Sequence, residues 1–148
     1  MAALTNEQSL MRDQAKAWAS KQAPVQKFRA MRDSGIEQRF DAQTWAEIIE
    51  MGWTGILIAE EYGGSDLDYL TFGLVLEELG RQLTASPLFA SALVGATALN
   101  IAGSDEQKQT FLPKIVDGNE ILTLAVDESN RHAPTEIALT AQSTDSGF

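Results

Sequence analysis

The sequence predicts a mainly α fold: a helical bundle over residues 1–118, followed over residues 119–148 by the first strands of a truncated β domain. Capping boxes open helical patterns at both ends of the bundle, Thr5-Asn-Glu-Gln8 and Ser104-Asp-Glu-Gln107. Between them, apolar residues recur at helical spacing. After Asn119 the pattern becomes β-rich. Because two strands cannot make a stable sheet alone, the β domain is expected to be incomplete.

Turn and capping residues divide the bundle into helices. Pro24 interrupts the first helix, since proline cannot donate to the preceding turn, and the second piece continues to about Arg32. Asp41 is expected to cap a third helix that Gly52 ends. Further helices are predicted to about Leu83, over 87–102 and over 104–115, and strands over 121–126 and 136–141.

The acidic stretch Glu60-Glu-Tyr-Gly-Gly-Ser-Asp-Leu-Asp68 has the composition of a catalytic site. Adjacent side chains point in different directions, so Glu60 and Glu61 do not form an acid/base pair by themselves. Gly63-Gly64 breaks any regular element, and Ser65 or Asp68 can cap the next helix. This stretch is therefore predicted to be a solvated turn and helix cap.

Composition excludes several classes of protein. The chain has 148 residues, a net charge of −10 and no cysteine, which excludes disulfides and thiolate chemistry. Its basic residues are mostly N-terminal and interleaved with acids, so no nucleic-acid surface is expected. The uncharged stretch 83–104 contains too many polar residues for membrane insertion. The N-terminus lacks a signal-peptide pattern, and a cytoplasmic location is predicted.

Isolated candidate residues do not define a site. His132 is the sole histidine and lies in a polar loop composition, which favours an exposed side chain over a metal ligand. Glu77 and Glu78 are expected on the solvated face of an amphipathic helix. Neither phosphate-binding glycine motif, GxGxxG or GxxxxGK, is present.

The ordered set of motifs resembles the acyl-CoA dehydrogenase family. The carrying segments are MGWTGILIAEEYGGSDLDYLTFGLVLEELGR, from Met51 to Arg81, and IAGSDEQKQTFLPKIVDGNEILTLAVDES, from Ile101 to Ser129. The resemblance implies an N-terminal helical bundle of that family followed by the start of its middle β domain. It also implies FAD-dependent α,β-dehydrogenation of an acyl-CoA thioester, electron-transferring flavoprotein as electron acceptor, and a homo- or hetero-oligomer.

The resemblance also assigns positions in this chain. Leu124, Val126 and Asp127 match a family strand that contacts the flavin ring, although Asp127 stands where the family has threonine. An ordinary strand of a variant β domain is the alternative. Ala90, Ser91 and Val94 match positions that line the acyl-chain cavity, with plain helix packing as the alternative. Small residues there would leave room for a bulky acyl group.

No catalytic residue is assigned. In most family members the catalytic glutamate lies in the C-terminal domain, beyond the region that this chain matches, so the fragment alone is expected to be inactive and not to retain FAD. Two other roles stay open: a non-catalytic structural partner subunit of a hetero-oligomeric acyl-CoA dehydrogenase, and a helical interaction module.

Overall fold

A computed structural model describes residues 3–35, 37, 38 and 40–145. In this part of the chain six α-helices form: α1 Asn6–Gln22, α2 Val25–Asp33, α3 Ala42–Glu50, α4 Tyr69–Arg81, α5 Ala96–Ala102 and α6 Asp105–Val116. Two short 3-10 helices, Trp53–Gly55 and Glu60–Tyr62, lie between α3 and α4. The mainly α fold predicted from the sequence is confirmed.

Side-chain caps set the starts of four helices. Both predicted capping boxes form, at Thr5 for α1 and at Ser104 for α6, with each cap and its glutamine bonding the other's backbone N–H. Asp41 accepts the Thr44 N–H at 2.7 Å and caps α3. Asp68, rather than Ser65, caps α4 by accepting from Thr71. These bonds satisfy N–H groups that a helix start leaves without partners.

The helix predicted over 87–102 is in fact two kinds of helix. Its first part, Phe89–Gly95, is a π-helix, and it runs without a break into α5. Sequence periodicity did not indicate the wider turn, because apolar residues cover nearly all sides of this segment. Such π-helical turns are rare and often occur at functional sites.

The main core cluster joins α1, α3, α4 and the π-helix. Trp53, fully buried at 0 % exposure, packs edge-on against Trp18 with ring centroids 5.2 Å apart. The Trp18 Nε1–H donates to Glu47 of α3 at 3.0 Å, so this indole is both packed and hydrogen-bonded. The other buried members are Ala15, Ala19, Trp45, Ile48, Ile56, Phe72, Val75, Leu79, Leu88 and Ala92.

A second cluster lies where α5 and α6 meet the turn region. Ile58, Ala96, Leu112 and Ile115 are its buried members, and Leu122 packs against them from the chain that follows α6. The buried Thr54 hydroxyl donates to the Val116 carbonyl at 2.7 Å. This bond ties the C-terminal end of α6 to the turn that also supplies Trp53.

The acidic stretch is a turn, as predicted. Glu60–Tyr62 forms a 3-10 helix, which Gly63 ends in the left-handed region at φ 86°. Gly64 then passes so close to the preceding turn that a Cβ there would lie 1.9 Å from the Ile58 carbonyl oxygen. Only a residue without a side chain fits at that position.

The two predicted strands do not form. Residues 121–126 and 136–141 have no strand assignment in the described part of the chain, where a single bridge residue, Thr144, is assigned. Strand geometry needs a neighbouring strand to satisfy its N–H and C=O groups, and no strand is assigned among the described residues. Instead, the Glu128 carboxylate accepts from the N–H groups of Ala138 and Leu139. The prediction of strands at these residues is therefore wrong for this chain.

Replacing Gly64 by alanine tests the close approach. We expect Gly64→Ala to lower the free energy of unfolding by about 2–3 kcal/mol, because the new methyl group would collide with backbone. Gly73→Ala is the matched control, since Gly73 is an exposed residue of α4 and a Cβ there would meet nothing within 4 Å. That control should stabilise the protein by about 0.5–1 kcal/mol. Urea unfolding measures the stability of both variants. Equal changes in stability for Gly64→Ala and Gly73→Ala would contradict a backbone collision at Gly64.

The Asp41 cap predicts a pH dependence of stability. The hydrogen bond from Thr44 N–H, helped by nearby Lys27, lowers the pKa of Asp41. A carboxyl whose pKa is lower in the folded state stabilises the protein above its unfolded pKa of about 3.9, and this contribution is lost as the pH falls further. Asp41→Asn should therefore be less stable than the parent at pH 7, and the difference should shrink as the pH falls below about 3.9. A difference in urea midpoint that is independent of pH would contradict this.

The anchoring of the segment after α6 can be tested with two leucines. Leu122 packs on the second cluster, whereas Leu139 is 81 % exposed. Leu122→Ala should cost about 2 kcal/mol of stability because it leaves a cavity against α5 and α6. Leu139→Ala removes the same atoms from solvent and should change stability by less than about 0.5 kcal/mol. Thermal unfolding of the two variants compares them, and similar losses would show that the segment is not anchored at Leu122.

Candidate functional site

The two predicted sets of site residues, one on the π-helix and one after α6, lie on either side of the contact between Leu122 and the π-helix. The π-helix carries Ala90, Ser91 and Val94. The segment after α6 carries the other set and begins its path across the bundle at Leu122, directly against the π-helix. Leu124, two residues later, lines a shallow apolar groove along α5. The structure therefore brings the start of the predicted flavin-contacting segment beside the predicted substrate-contacting helix.

Ser91 is the buried member of the first set. It is 1 % exposed, and its Oγ accepts the Leu122 N–H at 3.2 Å. The hydroxyl is therefore directed at the chain after α6. Ala90 and Val94, by contrast, are both partly exposed, and the neighbouring Phe89 is 56 % exposed.

Gly95 lies four residues after Ser91 and contacts the same residue. A Cβ at Gly95 would be 2.8 Å from the Leu122 Cβ and 3.3 Å from its carbonyl oxygen. Gly95 is not among the site residues predicted from the sequence, although a glycine inside a helical pattern is the usual signal of a close approach. Its partner Leu122 could not be found that way, because nothing in the sequence places it beside the helix.

The backbone of the second set is open. The Leu122 N–H is hydrogen-bonded to Ser91. Within the described chain, the backbone N–H and C=O groups of the next four residues, Thr123 to Val126, have no hydrogen-bond partner. The side chains of Leu124 and Val126 are 56 % and 42 % exposed. Open backbone donors beside exposed apolar side chains fit a flat, hydrogen-bonding ring such as the flavin isoalloxazine, which the family resemblance implies for this segment.

The carboxylate of Asp127 is directed into its own loop. One of its oxygens lies 3.0 Å from the His132 Nδ1, and the other accepts the Ala133 N–H at 3.0 Å. Both oxygens therefore bond within their own loop. His132 is an exposed loop residue, as predicted, and its interaction with Asp127 was not expected from the sequence.

Glu78 corrects the expectation of a solvated pair on α4. Glu77 is exposed, but the Glu78 side chain is only 8 % exposed, and it lies 3.3 Å from the Arg81 guanidinium. Burial of a carboxylate is tolerated when a cation compensates it. No group of three or more acidic or histidine residues that could hold a metal ion occurs among the described residues.

No helix in the described part of the chain is both long and apolar enough to cross a bilayer. Residues of the uncharged stretch that follows Leu83 pack in both core clusters: the π-helix contributes Ala92 to the main cluster, and α5 contributes Ala96 to the second.

Known proteins share both the sequence pattern and the fold. The sequence model of "Acyl-CoA dehydrogenase, N-terminal domain" matches residues 5–119. A probable acyl-CoA dehydrogenase of Bacillus subtilis, YngJ, is 34 % identical over 131 residues, which cover 86 % of this chain and 33 % of that protein. FadE27 of Mycobacterium tuberculosis, an acyl-CoA dehydrogenase, is 36 % identical over 70 % of this chain and 28 % of its own length.

A solved structure agrees with these relatives. The ChsE4–ChsE5 complex of Mycobacterium tuberculosis matches 90 % of this chain and 36 % of its own, with a TM-score of 0.78 and 28 % identity. The present chain spans about a third of the length of the curated relatives it matches. The matched region in the family model is the helical domain that the structure forms. This chain belongs to the acyl-CoA dehydrogenase family, of which it contains the N-terminal helical domain.

Proposed function

We propose that this chain is the N-terminal portion of a FAD-dependent acyl-CoA dehydrogenase, which removes hydrogens from the α and β carbons of an acyl-CoA thioester. The observation that carries the proposal is the family match over residues 5–119, together with the family fold in the same region. In this proposal the helical domain supplies part of the substrate and cofactor surroundings, and the catalytic base lies in a domain outside this chain. The cytoplasmic location expected from the sequence is part of the proposal.

FAD would be held in part by the segment after α6. The backbone groups of Leu124 and Val126 are open for hydrogen bonds, and their exposed side chains would cover an apolar ring edge. When bound, FAD supplies the acceptor for the β hydrogen. The Asp127 carboxylate, which bonds to His132 and Ala133, would remain turned into its own loop. In this arrangement the Asp127 carboxylate is hydrogen-bonded within its loop, at a position where the family has a neutral hydroxyl.

The acyl group would lie along the π-helix. Ala90 and Val94 expose part of their small side chains there, while Ser91 holds the adjoining segment from the buried side. Small side chains along a cavity wall leave volume for a large acyl group. We therefore propose that the substrate carries a long or bulky acyl chain, and that electrons leave to an electron-transferring flavoprotein.

A second role is favoured by a separate observation. Asp127 stands where the family has threonine, and both of its carboxylate oxygens bond within its own loop. A solved neighbour of this chain is a complex of two differently named proteins. The chain is therefore also a candidate for the non-catalytic subunit of a mixed oligomer, in which a partner subunit carries the complete flavin site.

The experiment that separates the two roles uses the natural protein that carries this chain. We expect it to show a flavin absorbance spectrum and to reduce an artificial electron acceptor when given a saturated acyl-CoA. A colourless, inactive protein that gains both properties only with a co-purified second subunit would support the partner role. The absence of flavin and activity in either state would refute both roles.

The 148-residue chain by itself should be colourless after purification. It offers only open backbone groups and two partly exposed apolar side chains to the flavin, so little of the ring would be enclosed. The measurement is the visible spectrum after incubation with excess FAD and gel filtration. Retention of one flavin per chain would contradict the expectation.

Ala90→Phe in the natural protein tests the acyl-binding proposal. The added ring should lower kcat/KM for bulky acyl-CoA thioesters by about tenfold or more, with a smaller effect on short ones, because it fills the proposed cavity. Ala30→Phe is the control, since Ala30 is exposed on α2. An unchanged preference for large acyl groups in Ala90→Phe would count against this cavity wall.

A further inference from the structure

Leu122 lies directly against the π-helix. Its N–H donates to the Ser91 Oγ, and a Cβ at Gly95 would lie only 2.8 Å from the Leu122 Cβ and 3.3 Å from its carbonyl oxygen. Both Ser91 and Gly95 are fully buried beneath it. The contact therefore fixes the position of the Leu122 backbone as well as its side chain.

This contact includes the last backbone hydrogen bond between the chain and the bundle before the open segment. The Leu122 side chain packs on the second core cluster. Beyond it, the backbone groups from Thr123 to Val126 have no partners within the described chain. Leu124 and Val126 lie two and four residues beyond Leu122, so the point from which their segment starts depends on how Leu122 is held.

We propose that Ser91 and Gly95 are positioning residues for the cofactor: together they set where residues 123–126 lie against the flavin. This inference rests on the proposed function. It gives Ser91 a role that differs from lining the acyl cavity, because its hydroxyl is used by Leu122 and not by substrate. Loss of the hydroxyl would free the Leu122 N–H, and a methyl group at Gly95 would push Leu122 away from the helix.

The first measurement uses the 148-residue chain. Amide hydrogen exchange of Leu122 should accelerate at least about fivefold in Ser91→Ala, because a net hydrogen bond of ordinary strength is lost. Trp18→Phe is the control, since it removes the Trp18–Glu47 hydrogen bond in the main core cluster, which does not include Leu122. Unchanged exchange at Leu122 in Ser91→Ala would overturn the proposal at its first step.

The second measurement uses the natural protein. Ser91→Ala and Gly95→Ala should each raise the Kd for FAD about fivefold or more and shift the flavin absorbance maximum. Trp18→Phe should lower the melting temperature and leave both properties unchanged. If Ser91 had a purely structural role, Ser91→Ala would behave like Trp18→Phe: its melting temperature would fall, and its Kd for FAD and its flavin spectrum would match those of the parent. That result would overturn the proposal.

The outcomes separate this inference from the proposed function. A parent protein with flavin and acyl-CoA dehydrogenase activity, whose FAD affinity is unaffected by Ser91→Ala and Gly95→Ala, refutes the positioning role alone. A parent protein without flavin, alone or with a partner subunit, refutes the proposed function, and with it any positioning of the cofactor. Weaker FAD binding in both variants, with parent-like binding in Trp18→Phe, supports the inference.

Discussion

The burial of residues 53–58, the first part of the turn region from Gly52 to Leu67, between two core clusters is the constraint on which the rest of the fold depends. Trp53 and Ile56 enter the main cluster, and Ile58 enters the second. One irregular segment therefore supplies apolar side chains to both halves of the bundle. Its backbone groups are satisfied internally: the Gly55 carbonyl, for example, accepts from Ile58 and Ser65.

This turn also determines where the bundle can hold the chain after α6. The Thr54 hydroxyl bonds to the last carbonyl of α6, and Ile58 packs against Leu112 and Ile115 of the same helix. Because α6 is fixed in this way, the chain leaves it close to the π-helix and α5. Leu122 can then contact both, and the proposed cofactor segment starts from a rigid support. A site built on packed elements holds its geometry better than one built on a free loop.

The same helical domain is compatible with a catalytic and a non-catalytic role, because function depends on the site and not on the fold. The residues that differ between these roles lie after Leu122. Thr123 to Val126 keep open backbone groups, which favour contact with a ring, whereas Asp127 is bonded to His132 and Ala133.

The sequence by itself determined the helices, the caps and the family. Capping at Thr5, Asp41 and Ser104 depends on side chains bonding to backbone a few residues away, and such local interactions can be read directly from the sequence. Asp68 shows the limit of local reasoning, since Ser65 was an equal candidate until the start of α4 was known.

Only the tertiary structure decided the π-helix, the burial of Glu78 and the contact of Ser91 and Gly95 with Leu122. Each depends on residues brought together by packing: the Ser91–Leu122 bond joins positions 31 apart in the sequence. The strands expected after Asn119 failed for the same reason. Strand propensity is local, but a strand exists only where another strand can pair with it.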